Sequence, residues 1–163
     1  MRPVWAEVDL GAISANVATL RAVATPAAMC AVVKADGYGH GAVPSARAAL
    51  AGGADVLAVA LVAEGVELRE AGIDTVVLVL SQASADEIDT LVAADLDATV
   101  YTASGVRGLA DAARRAGRTA ERAVRVHLKV DTGMHRVGVQ PDEAVELARA
   151  IAAEPALDLR SVF

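Results

Sequence analysis

The sequence predicts a parallel α/β fold wound as the first part of an eight-unit barrel, and three observations carry that prediction. Short apolar runs alternate with segments of helical period. Several of those runs are apolar throughout, as strands covered on both faces by helices are. Five strand-helix units and a sixth strand fill 163 residues, roughly the first two-thirds of a closed barrel of eight units and about 250 residues. A complete doubly wound sheet of six strands is the competing arrangement.

The expected strands are Met29 to Lys34, Val56 to Ala60, Thr75 to Leu80, Asp97 to Tyr101, Val124 to Asp131 and Leu157 to Phe163. An earlier run, Val4 to Leu10, alternates and stands apart from this series. Between the strands, Ile13, Val17, Leu20 and Ala24 form one helical stripe. A second helix begins near Pro44 and stops at Gly52-Gly53. Ser84 and Glu87 have capping-box spacing ahead of Ile88, Leu91 and Val92. Pro141 followed by Asp142 and Glu143 is a proline-first helix start, and Arg114, Arg115 and Gly117 mark a helix end. The last segment enters a strand with no crossover after it, so the chain reads as cut within a barrel.

Charge and composition exclude several functions. The net charge is −6 and only four residues are aromatic, which leaves no basic, stacking surface for nucleic acid. The longest stretch without a charged residue, Ala22 to Val33, has twelve residues, too few to span a membrane. Glu7 and Asp9 fall where a signal peptide needs its apolar run. The cytoplasm is therefore the expected compartment. The single cysteine, Cys30, lies in an apolar run and is expected to be a small buried residue.

Thirteen of the fifteen basic residues are arginine, leaving Lys34 and Lys129 as the only lysines, each at the end of an apolar strand. Parallel α/β proteins place their chemistry at strand C-terminal ends, and a lysine there can lose its proton and attack a carbonyl. Lys34 leads into Ala35-Asp36-Gly37-Tyr38-Gly39-His40-Gly41. Glycines at alternate positions allow a sharp turn near a helix N-terminus, where an anion such as phosphate could rest. Asp36 reads as a turn or capping residue. The run His127 to Gly138 ends a strand in a charged, glycine-flanked loop. There Arg136 could meet a carboxylate in a two-pronged contact, with Lys129 and Asp131 adding local charge. His40, His127 and His135 are too scattered for a zinc site and read as structural or surface residues.

Three consecutive motifs resemble those of the alanine racemase family: Arg2 to Leu10, Ala31 to Gly41 and His127 to Gly138. The likeness also runs through Ala60 to Gly72, so it covers essentially the whole chain. It implies that residues 1–163 are an incomplete N-terminal barrel domain that binds pyridoxal 5′-phosphate, with the rest of the barrel and a C-terminal β domain outside this sequence. It implies that Lys34 holds the cofactor covalently and acts as the base on one face of the substrate's alpha carbon. Tyr38 is implied to donate toward the cofactor phosphate. Arg136 would meet the substrate carboxylate and the cofactor's phenolic oxygen, Met134 would lie beside the substrate, and Lys129 is a candidate for carbamylation. The implied reaction interconverts L-alanine and D-alanine for peptidoglycan, in a homodimer that takes its second acid-base group from a tyrosine beyond Phe163. Tyr101 is not assigned that role, and Asp36-Gly37 replaces the family's commoner asparagine-alanine pair. The fragment alone is expected to be inactive. Serine or a broader range of amino acids as substrate, and a non-catalytic cofactor-binding module, are the alternatives.

Overall fold

A computed structural model describes residues 4–163, so Arg2 and Pro3 of the first motif lie outside the described residues. In chain order the elements are α1 (Leu10–Ala24), β1 (Cys30–Val32), α2 (Lys34–Gly39), α3 (Ala42–Ala51), β2 (Val56–Val59), α4 (Val62–Glu70), β3 (Val76–Val79), α5 (Ile88–Ala93), β4 (Ala98–Val100), α6 (Ala103–Arg115), β5 (Val124–Leu128), α7 (Ala144–Ala152) and β6 (Leu157–Val162). The six expected strands are present, each trimmed at its ends. β1 and β5 each lose three residues, and in β5 Val130 leaves the ladder to bridge Val139 across the following loop.

All strand pairs are parallel, and each strand neighbours the next in sequence within the sheets β1-β2-β3 and β4-β5-β6. The two sheets join where Leu78 bridges Asp97, through Asp97 N–H to Val77 O at 2.9 Å and Val79 N–H to Asp97 O at 3.0 Å. Strand order therefore never reverses. A doubly wound sheet requires a reversal, so the order selects the barrel arc.

Alternate strand residues face opposite sides. Val33, Leu57, Val77, Val100, Val126 and Leu128 join the apolar core with Leu68, Leu109 and Ile151 of the covering helices. Along β4 and β5 the concave side carries Asp97, Thr99, Arg125 and His127. The register aligns Val32, Ala58 and Leu78 with Asp97, so the inner face is apolar along β1 to β3 and polar along β4 and β5.

Four other expectations need correction. Cys30 is exposed, because β1 is an edge strand and its concave side is open. Val4 to Asp9 forms no strand, and Asp9 instead caps α1, accepting from Ala12 N–H at 3.0 Å. The α1 stripe is only half-covered at Ile13 and Val17, and Leu20 and Ala24 are exposed. α1 packs on α3 at the rim, where a Cβ on Gly52 would lie 2.4 Å from Ser14 O. α5 and α7 start later than the Ser84 and Pro141 signals suggest, each after an intervening turn. At the first of these turns Glu87 accepts from Ser84 N–H at 3.2 Å and Ser84 Oγ at 2.6 Å.

The accessible surface is 9251 Å², against about 7,600 Å² for a closed domain of this mass. Exposed Val32 on β1 and exposed Val162 and Phe163 at the end of β6 account for part of the excess. No helix among the described residues is long and apolar enough to cross a membrane.

Arg69 staples two unit junctions together. Its guanidinium donates to the carbonyls of Ile73, Thr75, Ala94 and Asp95 at 2.7 to 3.0 Å. Replacing it by alanine strands those partly buried oxygens, at a cost of about 2–3 kcal/mol. Thermal melting of Arg69→Ala should fall by roughly 5–10 °C, and an unchanged melting temperature would show that water replaces the guanidinium freely.

Candidate functional site

Lys34 emerges where the β1 ladder ends, one residue after Val33 N–H bonds Ala58 O at 2.8 Å. The segment that follows is a helical turn of the wrong hand. Ala35, Asp36, Gly37 and Tyr38 have φ between 51° and 60° with ψ between 35° and 53°. Left-handed backbone costs roughly 1–2 kcal/mol for each residue that carries a Cβ. Gly37 avoids that cost, and a Cβ there would also press to 2.9 Å from Ser45 Oγ. Asp36 Oδ1 accepts from Ala42 N–H at 2.7 Å, so Asp36 is the expected cap. The same contact satisfies the first amide of α3 with a carboxylate of the chain. The turn leaves Lys34 Nζ 5.6 Å from the centroid of the exposed Tyr38 ring.

Lys129 lies just beyond β5, on the concave side with Arg125 and His127. Its Nζ donates to Leu80 O at 3.3 Å and sits 5.1 Å from the Phe163 ring centroid. Burial pushes the Lys129 ammonium below the ordinary lysine value, and repulsion from the Arg136 guanidinium adds to it. Lys129, Asp131, Met134, Arg136 and Phe163 line one cleft of about 260 Å³. The loop between them is organised by Asp131, which accepts from the backbone N–H of Gly133 at 3.0 Å and of His135 at 2.9 Å. Gly138 closes it, because a Cβ there would meet Asp131 N at 2.5 Å.

Those backbone donors of His135 and Gly133 hold the Asp131 carboxyl below the usual aspartate range. A carboxyl depressed in the folded state contributes stability that is fully present above its unfolded pKa of about 4 and is lost as pH falls through the folded value. Asp131→Asn should therefore flatten the acid limb of the stability curve below about pH 4. Urea melts of the two proteins across that range test this, and parallel acid limbs would contradict it.

The structure thus gathers the expected residues into two groups at strand C-terminal ends: Lys34 with Tyr38, and Lys129 with Met134 and Arg136. No hydrogen bond or ion pair joins the two groups among the described residues. Neither Lys34 Nζ nor the Arg136 guanidinium makes one at all there, so both are free for a ligand. Beneath the second group lies a network that the sequence reading missed. Asp97 accepts from Arg125 Nε at 2.5 Å and faces His127 Nε2 at 3.0 Å, and His127 Nδ1 meets Ser161 Oγ at 2.7 Å. The signal for it is the period-two spacing of Arg125, His127 and Lys129. His127 is structural, as expected. Glu64, near the start of α4, was also given no role, though it reaches the Lys34 turn.

These features define a class: a partial α/β-barrel domain with both of its lysines at the C-terminal ends of parallel strands, where such domains place their chemistry. A family model described as alanine racemase, N-terminal domain, matches residues 8–163, and the chain belongs to that family. It is 45% identical over 163 residues to the alanine racemase of Symbiobacterium thermophilum, covering 100% of this chain and 42% of that protein. It is 44% identical over 157 residues to that of Thermobifida fusca, covering 96% and 41%. Among solved structures, alanine racemase from D-cycloserine producing Streptomyces lavendulae superposes with a TM-score of 0.87 at 39% identity, over 99% of this chain and 43% of that one. The enzyme from E. faecalis gives 0.85 at 38%, over 96% and 42%. The chain thus spans about two-fifths of the length of these relatives. These superpositions agree with the barrel arc read from the strand order.

Proposed function

We propose that residues 1–163 are the cofactor-binding part of the barrel in a pyridoxal 5′-phosphate enzyme that interconverts L-alanine and D-alanine. One observation carries this reading: Lys34 presents a primary amine at a strand end with no carboxylate partner among the described residues, as condensation with an aldehyde cofactor requires. When bound, that cofactor supplies the electron sink for charge left on the alpha carbon. The residues present fit it at its aldehyde end, while much of the phosphate site belongs to sequence outside this chain.

Lys34 takes and returns a proton on one face of the substrate's alpha carbon. A single amine serves only its own face, so inversion needs a second acid-base group on the other. Tyr38 donates its hydroxyl toward the phosphate. Arg136, whose guanidinium makes no ion pair among the described residues, pairs with the substrate carboxylate through its planar fork, and Met134 flanks the same cleft. Lys129 is the carbamylation site: its nitrogen bonds the carbon of CO₂ and releases a proton, leaving an anionic carbamate that orients Arg136. That step needs the neutral amine, which the lowered Lys129 pKa favours. The same reading makes the intact enzyme a cytoplasmic homodimer whose D-alanine feeds peptidoglycan synthesis.

The test is incubation of the full-length protein, loaded with pyridoxal phosphate, with L-alanine in D₂O. D-alanine carrying deuterium at the alpha carbon is expected, and the 163-residue chain alone should give none. L-alanine recovered unchanged from the full-length protein would overturn the proposal. Faster turnover of serine in the same assay would move the substrate away from alanine.

A further inference from the structure

The left-handed turn after Lys34 is an improbable conformation for Ala35, Asp36 and Tyr38, and such backbone persists only where its surroundings over-determine it. Local contacts support the turn: the Asp36 cap on α3, Gly37 N–H to Val33 O at 3.0 Å and Gly41 N–H to Asp36 O at 2.9 Å. A further contact arrives from 29 residues away. Glu64 Oε1 accepts from Ala35 N–H at 2.6 Å, while Glu64 Oε2 accepts from Ala60 N–H at 2.7 Å and Leu61 N–H at 3.0 Å. A single carboxylate thereby joins the residue next to Lys34 to the exit of β2 and the start of α4. Both oxygens are occupied by main-chain amides, so the carboxylate anchors the turn without claiming the Lys34 amine as an ion-pair partner.

We infer that Glu64 is a positioning residue for Lys34. It holds the Ala35 amide, keeps the turn left-handed and so fixes the direction in which the Lys34 side chain leaves the backbone. This rests on the proposed cofactor role of Lys34. Charge matters as well as shape: three N–H groups converge on the carboxylate, and an amide side chain would turn an NH₂ toward one of them. Glutamine therefore fails at position 64 despite its matching length.

The experiment measures, in the full-length protein, the pyridoxal phosphate concentration that gives half-maximal borohydride-fixed label on Lys34. Glu64→Gln should raise that concentration about tenfold, and Glu64→Asp, which keeps the charge with a shorter reach, by less. Glu87→Gln is the control, since Glu87 ties down the turn before α5 through Ser84 and makes no hydrogen bond to the Lys34 turn among the described residues. It should leave the labelling unchanged even where it lowers the melting temperature. A wild-type labelling curve for Glu64→Gln, whatever its melting temperature, would overturn the inference. If Glu64→Gln fails to fold, Glu64→Asp decides on the same criterion. Absence of label on the unmutated protein is the distinct outcome that removes the functional reading, and this role with it.

Discussion

Lys34→Ala in the full-length protein should lose at least about a thousandfold in racemase turnover, the range in which a positioned acid-base group contributes. It should do so with little change in melting temperature. The Lys34 side chain is half-buried, and among the described residues it makes one interaction, the 5.6 Å approach to the Tyr38 ring, worth about 0.5–1 kcal/mol at an exposed site. Lys34→Arg is the sharper variant. It keeps the positive charge over Tyr38 but offers no amine that can deprotonate, so it should be as inactive as the alanine variant. Substantial turnover by Lys34→Arg would mean that Lys34 acts only as a charge.

Asp97→Ala should destabilise the folded protein by about 3–5 kcal/mol. The Asp97 side chain is 3% exposed and faces Arg125 at 28% and His127 at 15%. Removing the carboxylate leaves a partly buried guanidinium without its main acceptor, which is the costly way to break such a pair. Because Arg125 is not fully buried, the lower end of that range is expected, or roughly 6–12 °C in melting temperature. Asp97→Asn retains one acceptor oxygen and should lose less. Denaturant melts of both variants measure the effect, and a loss below about 1 kcal/mol for the alanine variant would show that water screens the network as at a surface pair.

The strands were legible because burial on the helix-covered face demands apolar residues at alternate positions, and Leu57, Val77 and Val126 meet that demand. Lys34 and Lys129 stood out by residue type and by position. What escaped the sequence depends on contacts between distant residues. Ala35, Asp36 and Tyr38 favour right-handed backbone by themselves, and the reversal of hand comes with Glu64, 29 residues away from Ala35. Asp97 looked like a strand boundary, and its partner Arg125 lies 28 residues further on. Cys30 sits in an apolar run, yet its exposure follows from the edge position of β1 in the sheet order, which no local pattern encodes.

The central claim is that Lys34, alone of the two lysines, is the residue that binds pyridoxal phosphate. Incubating the full-length protein with the cofactor, reducing with borohydride and mapping the modified peptides by mass spectrometry tests it directly. A pyridoxyl group on the peptide containing Lys34, absent from Lys34→Ala, with Lys129 unmodified, is the expected result. Label on Lys129, or label shared between the two lysines, would contradict it.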